Sequence, residues 1–221
     1  MNDIPQLQVA LDITSLKEAL NIARRAISGG VDIIEAGTPL IKASGVSAVR
    51  KLREEFPTYP IVADLKIFDA GKLEADLFLS AGADIVTVLA VAAYETIEEV
   101  IETVHQRGKK VMVDMMNVGD VMDVVQPIVR RGADIICLHV GVDTQRRRGV
   151  DARVLVEELK AIKERFSVNV AVAGGINEHT APLFACAGAD IIIVGGRITK
   201  AKDPEEAARR IKEAIISALK E

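Results

Sequence analysis

Residues 188–195 read Gly188-Ala189-Asp190-Ile191-Ile192-Ile193-Val194-Gly195. A glycine suited to ending a helix precedes an aspartate, which opens an apolar, β-branched run of the kind that forms strands buried on both faces. The same phrase stands at Gly132-Ala133-Asp134-Ile135, at Gly82-Ala83-Asp84-Ile85 and, as Gly30-Val31-Asp32-Ile33, near the N-terminus. Successive copies lie 52, 50 and 56 residues apart, about two strand–helix units each.

The intervening sequence completes the alternation. Strands are expected at 7–11, 31–35, 60–65, 84–89, 110–115, 134–139, 168–173 and 190–195. Amphipathic helical patterns fall between and after them, among them 15–28, 44–55, 95–107, 154–165 and 204–220. Eight strands and eight helices in alternation predict an α/β protein with a parallel sheet, closed as a single (β/α)8 TIM barrel over residues 1–221. An open doubly wound sheet would advertise a glycine-rich dinucleotide turn after the first strand, and Ala10-Leu11-Asp12-Ile13-Thr14-Ser15-Leu16 offers none.

Bulk composition narrows the setting. The chain has 221 residues, 49% hydrophobic and 27% charged, which suits one folded core. A net charge of −4 gives no reason to expect nucleic acid or an anionic membrane as partner. The N-terminus lacks the pattern of a signal peptide, and no apolar run approaches the roughly 20 residues of a membrane span. Cys137 and Cys186 have no metal-like spacing, so reduced thiols in a cytoplasmic protein are expected.

In such a barrel the chemistry sits at the C-terminal ends of the strands, and the opposite face serves stability. Asp32, Asp84, Asp134 and Asp190 open their strands and belong to the stability face. The other ends carry Asp12, Glu35, Asp64 with Lys66, Thr87, Asp114 and His139. So many ionisable groups beside an apolar barrel are costly unless paired or metal-bound. In Asp64-Leu65-Lys66-Ile67-Phe68-Asp69, residues i and i+2 of a strand face the same way, so Asp64 and Lys66 point together into the mouth and Asp69 follows in the loop. That string alone also suits a structural ion pair; beside other rim acids it suits proton transfer and cation binding. Glu35 and Asp64, on neighbouring strands, form a candidate Mg2+ site of hard oxygen ligands.

The segments Gly174-Gly175 and Gly195-Gly196-Arg197 follow strands 7 and 8, a frequent phosphate site in barrels, with Arg197 placed to add charge. His139 is placed to exchange protons near neutral pH. His105 and His179 read as solvated, and Arg146-Arg147-Arg148 as a solvated charge run in a long loop after strand 6.

With these residues in view, the sequence resembles the orotidine monophosphate decarboxylase suprafamily, and within it the 3-hexulose-6-phosphate synthase family. The likeness is carried by LQVALD at 7–12, VDIIEAGTPLIK at 31–42, ADLKIFDAGK at 63–72, GADIVTVLA at 82–90, KVMVDMMNV at 110–118, HVGVDTQ at 139–145, VAGGI at 172–176 and IVGGRI at 193–198. It implies a Mg2+-dependent aldolase that reversibly condenses ribulose 5-phosphate with formaldehyde through an enediolate. It implies Glu35 and Asp64 as metal ligands, Asp12, Lys66, Asp69 and His139 as catalytic residues, and Gly175, Gly196 and Arg197 as the phosphate grip. It also implies a homodimer, with Asp69 reaching into the partner's site. The alternative within the suprafamily is 3-keto-L-gulonate 6-phosphate decarboxylase. That family has a proton-donating arginine where Val142 stands here, whereas Arg197 and the Ile67-Phe68 pair depart from the synthase pattern.

Overall fold

The computed structural model describes residues 4–220; the ends of the expected domain, residues 1–3 and 221, lie outside them. The strands are β1 (Gln6–Leu11), β2 (Ile33–Ala36), β3 (Ile61–Ile67), β4 (Ile85–Leu89), β5 (Lys110–Asp114), β6 (Ile135–His139), β7 (Asn169–Ala173) and β8 (Ile191–Val194). They pair in sequence order, all parallel, and β8 returns to β1, closing the (β/α)8 barrel that the repeat predicts. The helices are α1 (Leu16–Ser28), α2 (Thr38–Ser44), α3 (Val46–Glu55), α4 (Gly71–Ser80), α5 (Tyr94–Gln106), α6 (Val121–Arg130), α7 (Val142–Arg148), α8 (Val156–Arg165), α9 (Ala181–Cys186), α10 (Gly196–Thr199) and α11 (Pro204–Ala218).

Eleven α-helices among the described residues exceed the eight expected. Three of the short ones, α2, α7 and α10, lie in the connections leaving β2, β6 and β8, and at four to seven residues they are too brief for a 3.6-residue periodicity to be read. The run Arg146-Arg147-Arg148 thus ends helix α7 and does not lie in an irregular loop. It is solvated as expected, since α7 buries no residue, and Arg146 pairs with Asp143 at 2.7 Å.

Apart from the end of β3, the strands alternate. Ala10, Ile33, Val62, Ile85, Met112, Ile135, Cys137, Ala171, Ala173, Ile191 and Ile193 pack inside the barrel. Their neighbours, such as Val9, Leu11, Ile34, Val86 and Ile192, pack outward against the helices. This two-residue period later delivers the polar groups to the mouth.

The repeated aspartates have a common task at the opposite rim. Asp32 accepts from the N–H of Leu7, Asp84 from Ile61, Asp134 from Val111 and Asp190 from Val170, at 2.6 to 2.9 Å. Each carboxylate accepts an N–H at the first or second residue of the preceding odd-numbered strand, where the ladder begins. The glycines two residues earlier have φ between +91° and +108°, which accounts for their recurrence. Three of the carboxylates also take a lysine or arginine: Lys212 on Asp32, Arg53 and Lys109 on Asp84, and Lys163 on Asp190. The fourth corrects the reading of His105 as merely solvated, because its Nε2 lies 3.0 Å from Asp134. His179 is solvated as expected.

Burial alone would raise the pKa of Asp84, but Lys109, the Ile61 N–H and Arg53 outweigh it and hold the carboxyl below its ordinary value. Its contribution to stability is therefore present above the ordinary carboxylate pKa and is lost as pH falls through the lowered folded value. Asp84→Asn is expected to cost about 1–3 kcal/mol in urea denaturation while leaving catalysis unchanged, because it strips partners from a half-buried network remote from the mouth.

Candidate active site

The interior lines of side chains on β2 to β6 end at the C-terminal rim in a polar group: Ile33 is followed by Glu35, Val62 by Asp64, Ile85 by Thr87, Met112 by Asp114, and Cys137 by His139. Glu35, Asp64, Thr87 and Asp114 are buried, and His139 is partly so. Asp12, just past β1, is exposed at the mouth, with Gly37 and Gly195 packed against its carboxylate.

Strand β3 does not run regularly to its end. Its register against β4 shifts between Ala63 and Ile67, and Lys66 has φ +48°. An L-residue there costs on the order of 1–2 kcal/mol, so the surroundings must hold it. The Lys66 N–H donates to Thr87 Oγ1, and that hydroxyl donates to Asp64 Oδ1, both at 2.9 Å. Lys66 Nζ lies 2.9 and 2.7 Å from the two Asp64 oxygens and 3.4 Å from Asp114 Oδ2. The convergence of Asp64 and Lys66 expected from a regular strand is thus reached through a bulge. Burial alone would lower the Lys66 pKa, but the charges of Asp64 and Asp114 and the Asp64 hydrogen bond raise it, so the ammonium form persists.

Glu35, Asp64 and Asp12 present oxygens within 4.8 Å of one another. Burial first, then the charges of Asp64 and Asp12, push the Glu35 carboxyl well above the usual range; burial and Asp64 also raise Asp12. With Asp114 added, four carboxylates surround one ammonium group, and a hard divalent cation would offset the excess negative charge. The oxygen-only donor set therefore fits Mg2+, with Asp12 joining the expected pair.

Asp114, Cys137 and His139 also lie together. There the donors are already engaged with one another: His139 Nδ1 is 2.9 Å from Asp114 Oδ2, and the Met116 N–H donates to Asp114 Oδ1. Burial alone would raise Asp114, yet the His139 hydrogen bond and charge, with Lys66, bring it below the ordinary value. An ionised carboxylate only accepts, so Nδ1 carries the proton and Nε2 is free to take one.

At the two glycine segments expected to hold a phosphate, Gly174 and Gly175 have φ of +120° and +70°, and Gly195-Gly196 open the single turn of α10. Arg197 does not point a free charge here. Its guanidinium forms a two-pronged pair with Glu178, with Nε 2.7 Å from Oε2, and this pair holds the Glu178 carboxyl down to about 2. Lys200 forms no ion pair among the described residues, and a methyl group on Gly196 would lie 4.0 Å from its Nζ.

Asp69 is the one expected catalytic residue that the chain does not bring to the cluster. Its carboxylate accepts from the adjacent Ala70 N–H at 2.8 Å in an exposed turn. Asp114 was legible as a rim acid without a task. Thr38, which donates to Asp64 Oδ2 at 2.7 Å, gave no sequence signal, because it sits in a short helix after Gly37. Lys200 and Glu178 likewise lie in connections where spacing carries no directional information.

The family described as Orotidine 5′-phosphate decarboxylase / HUMPS matches residues 5–211. The 3-hexulose-6-phosphate synthase of Bacillus subtilis is 38% identical over 212 residues, 96% of this chain and 99% of that protein. The crystal structure of 3-hexulose-6-phosphate synthase from Salmonella typhimurium superposes with a TM-score of 0.90 at 38% identity, covering 96% and 99% of the two chains. The KGPDC of Streptococcus mutans, solved in complex with D-R5P, gives 0.91 at 30% identity, covering 98% and 99%.

Proposed function

Because the chain belongs to the orotidine 5′-phosphate decarboxylase / HUMPS family, we propose that it is a Mg2+-dependent aldolase joining ribulose 5-phosphate and formaldehyde to give D-arabino-3-hexulose 6-phosphate, reversibly. The observation that carries this reading is the convergence of Asp12, Glu35 and Asp64 beside Lys66 and the Asp114–His139 pair. Full-length relatives at 35–39% identity are 3-hexulose-6-phosphate synthases.

Glu35, Asp64 and Asp12 would hold the cation, which when bound supplies Lewis acidity to the sugar's carbonyl oxygen. His139, held by Asp114 with Nε2 free, takes the proton from C1 of ribulose 5-phosphate. Lys66 remains charged and steadies the oxyanion that develops at C2. C1 then bonds to the carbon of formaldehyde, and the new alkoxide takes up a proton from the site. Asp12, at the mouth, is placed to position the substrate's hydroxyl groups. The phosphate rests on Gly174, Gly175, Gly195 and Gly196, with Arg197 and Lys200 supplying charge.

Arg197 must leave Glu178 to reach that phosphate. Arg197→Ala is expected to raise KM about tenfold with little change in kcat, since the phosphate is remote from the reacting carbon. Glu178→Gln, by freeing the guanidinium, is expected to lower KM. Steady-state kinetics check both, and unchanged KM values remove Arg197 from the phosphate grip.

The same reading supplies a homodimer in the cytoplasm. Phe68, Leu73 and Leu77 are at least half exposed on the turn and helix that follow the Lys66 segment, beside Asp69. A second copy covering them would carry Asp69 to the partner's site; sedimentation as a monomer would reject this. Both cysteines are free thiols, in keeping with a reducing compartment, and no helix among the described residues is long and apolar enough to cross a membrane.

The decarboxylase reading is disfavoured by Val142, an apolar residue 65% exposed at the start of α7, which cannot donate the proton that the decarboxylase resemblance assigns to an arginine there. The test is incubation with Mg2+, ribulose 5-phosphate and formaldehyde. Formaldehyde loss with hexulose phosphate formation is expected. No formaldehyde loss, with CO2 release from 3-keto-L-gulonate 6-phosphate, rejects the aldolase.

A further inference from the structure

The interior of the barrel below the mouth is apolar, with one departure. Gln8 on β1 is fully buried, facing inward by the two-residue period that also turns Ala10 inward. Its register partners are Ile33 on one side and Ile193 on the other. Its Nε2 donates to Glu35 Oε2. No group among the described residues donates to its Oε1.

For stability alone this is the wrong residue. A buried carbonyl oxygen without a donor is a cost, and an apolar side chain of the same shape would remove it. What the amide supplies is a fixed contact to one oxygen of Glu35, from below. That contact restrains a carboxylate that has an oxygen within 4.8 Å of those of Asp64 and Asp12. The Glu35 carboxylate has few other restraints: that of Asp64 is gripped by Lys66, Thr38 and Thr87, whereas Gln8 alone among the described residues hydrogen-bonds to the Glu35 side chain.

We propose that Gln8 is a positioning residue that holds the Glu35 carboxylate in its cation-binding orientation, at a cost to the stability of the barrel. This rests on the reading of Glu35, Asp64 and Asp12 as the cation site. It makes an unusual pair of demands: removal of the amide should weaken metal binding while leaving the fold as stable or more so.

The probe is Mn2+ alone, titrated into the purified protein and followed by electron paramagnetic resonance of the free ion. Glu35→Gln serves as the control that removes a ligand. Gln8→Met keeps the side chain's length and removes both amide groups; Gln8→Leu is a second apolar variant should one fail to fold. The expected result is a Kd for Mn2+ about tenfold weaker in the Gln8 variants, with thermal midpoints unchanged or raised. Mn2+ affinity within twofold of wild type overturns the inference, as does a fall in both midpoints, which marks Gln8 as a stabilising core residue. If the wild-type protein takes up no Mn2+ and Glu35→Gln changes nothing, the cation-site reading fails as well. Wild-type binding that is lost in Glu35→Gln but kept in Gln8→Met overturns the role of Gln8 alone.

Discussion

Asp64→Asn is expected to lower kcat/KM by about 100-fold or more while the protein remains folded. The aspartate accepts on both oxygens: Lys66 reaches each, Thr87 donates to Oδ1 and Thr38 to Oδ2. A carboxamide keeps one accepting oxygen and turns an NH2 group toward donors that cannot receive it. It also removes a negative charge from the centre of the cluster, weakening any cation held with Glu35 and Asp12. The effect on folding is opposed by a second consequence, because the repulsion that raises Glu35 and Asp12 falls when Asp64 is neutral. Circular dichroism and a urea midpoint near wild type, beside the lost activity, are the expected combination. Activity retained in the variant, or in wild type after thorough chelation, would remove Asp64 from the metal site.

The fold was legible because the barrel's strands repeat a physical requirement. Each odd strand has near its start an N–H that needs an acceptor, and the aspartate just before each even strand provides it, so the phrase from Gly30 to Ile33 recurs at the same rim. The site was legible to the extent that it lies on strands. Glu35, Asp64, Thr87, Asp114 and His139 occupy inward positions by the same two-residue period that buries Ile33, Val62, Ile85, Met112 and Cys137. By that rule Gln8 could have been singled out in LQVALD, since a polar residue that shares the inward face with Ala10, below the mouth, is anomalous. The rest depends on turns and pairings between distant connections. Lys66 adopts a positive φ because Thr87 captures its N–H, and Arg197 meets Glu178 from the loop after β7. Neither contact has a period, so neither leaves a pattern in the sequence.

The Asp114–His139 pair should behave as one unit. Asp114→Asn removes the ionised acceptor that fixes the proton on Nδ1, and a carboxamide that turns its NH2 to the ring favours the tautomer with the proton on Nε2. That tautomer cannot take a proton from C1, so a loss of about 100-fold or more in kcat is expected, with a smaller change in KM. His139→Ala should lose a comparable amount. The double variant discriminates between orientation and an independent electrostatic role. If Asp114 acts through the imidazole, adding Asp114→Asn to His139→Ala costs less than about fivefold further. The 3.4 Å contact between Asp114 and Lys66 sets the scale of that residue, being longer than the two that Asp64 makes. Nitrogen-15 spectra of the imidazole read the same event without activity: Nδ1–H in wild type, and a shift toward Nε2–H in Asp114→Asn. Fully additive losses with an unchanged tautomer would place Asp114 with Lys66 and leave His139 to be oriented by something else.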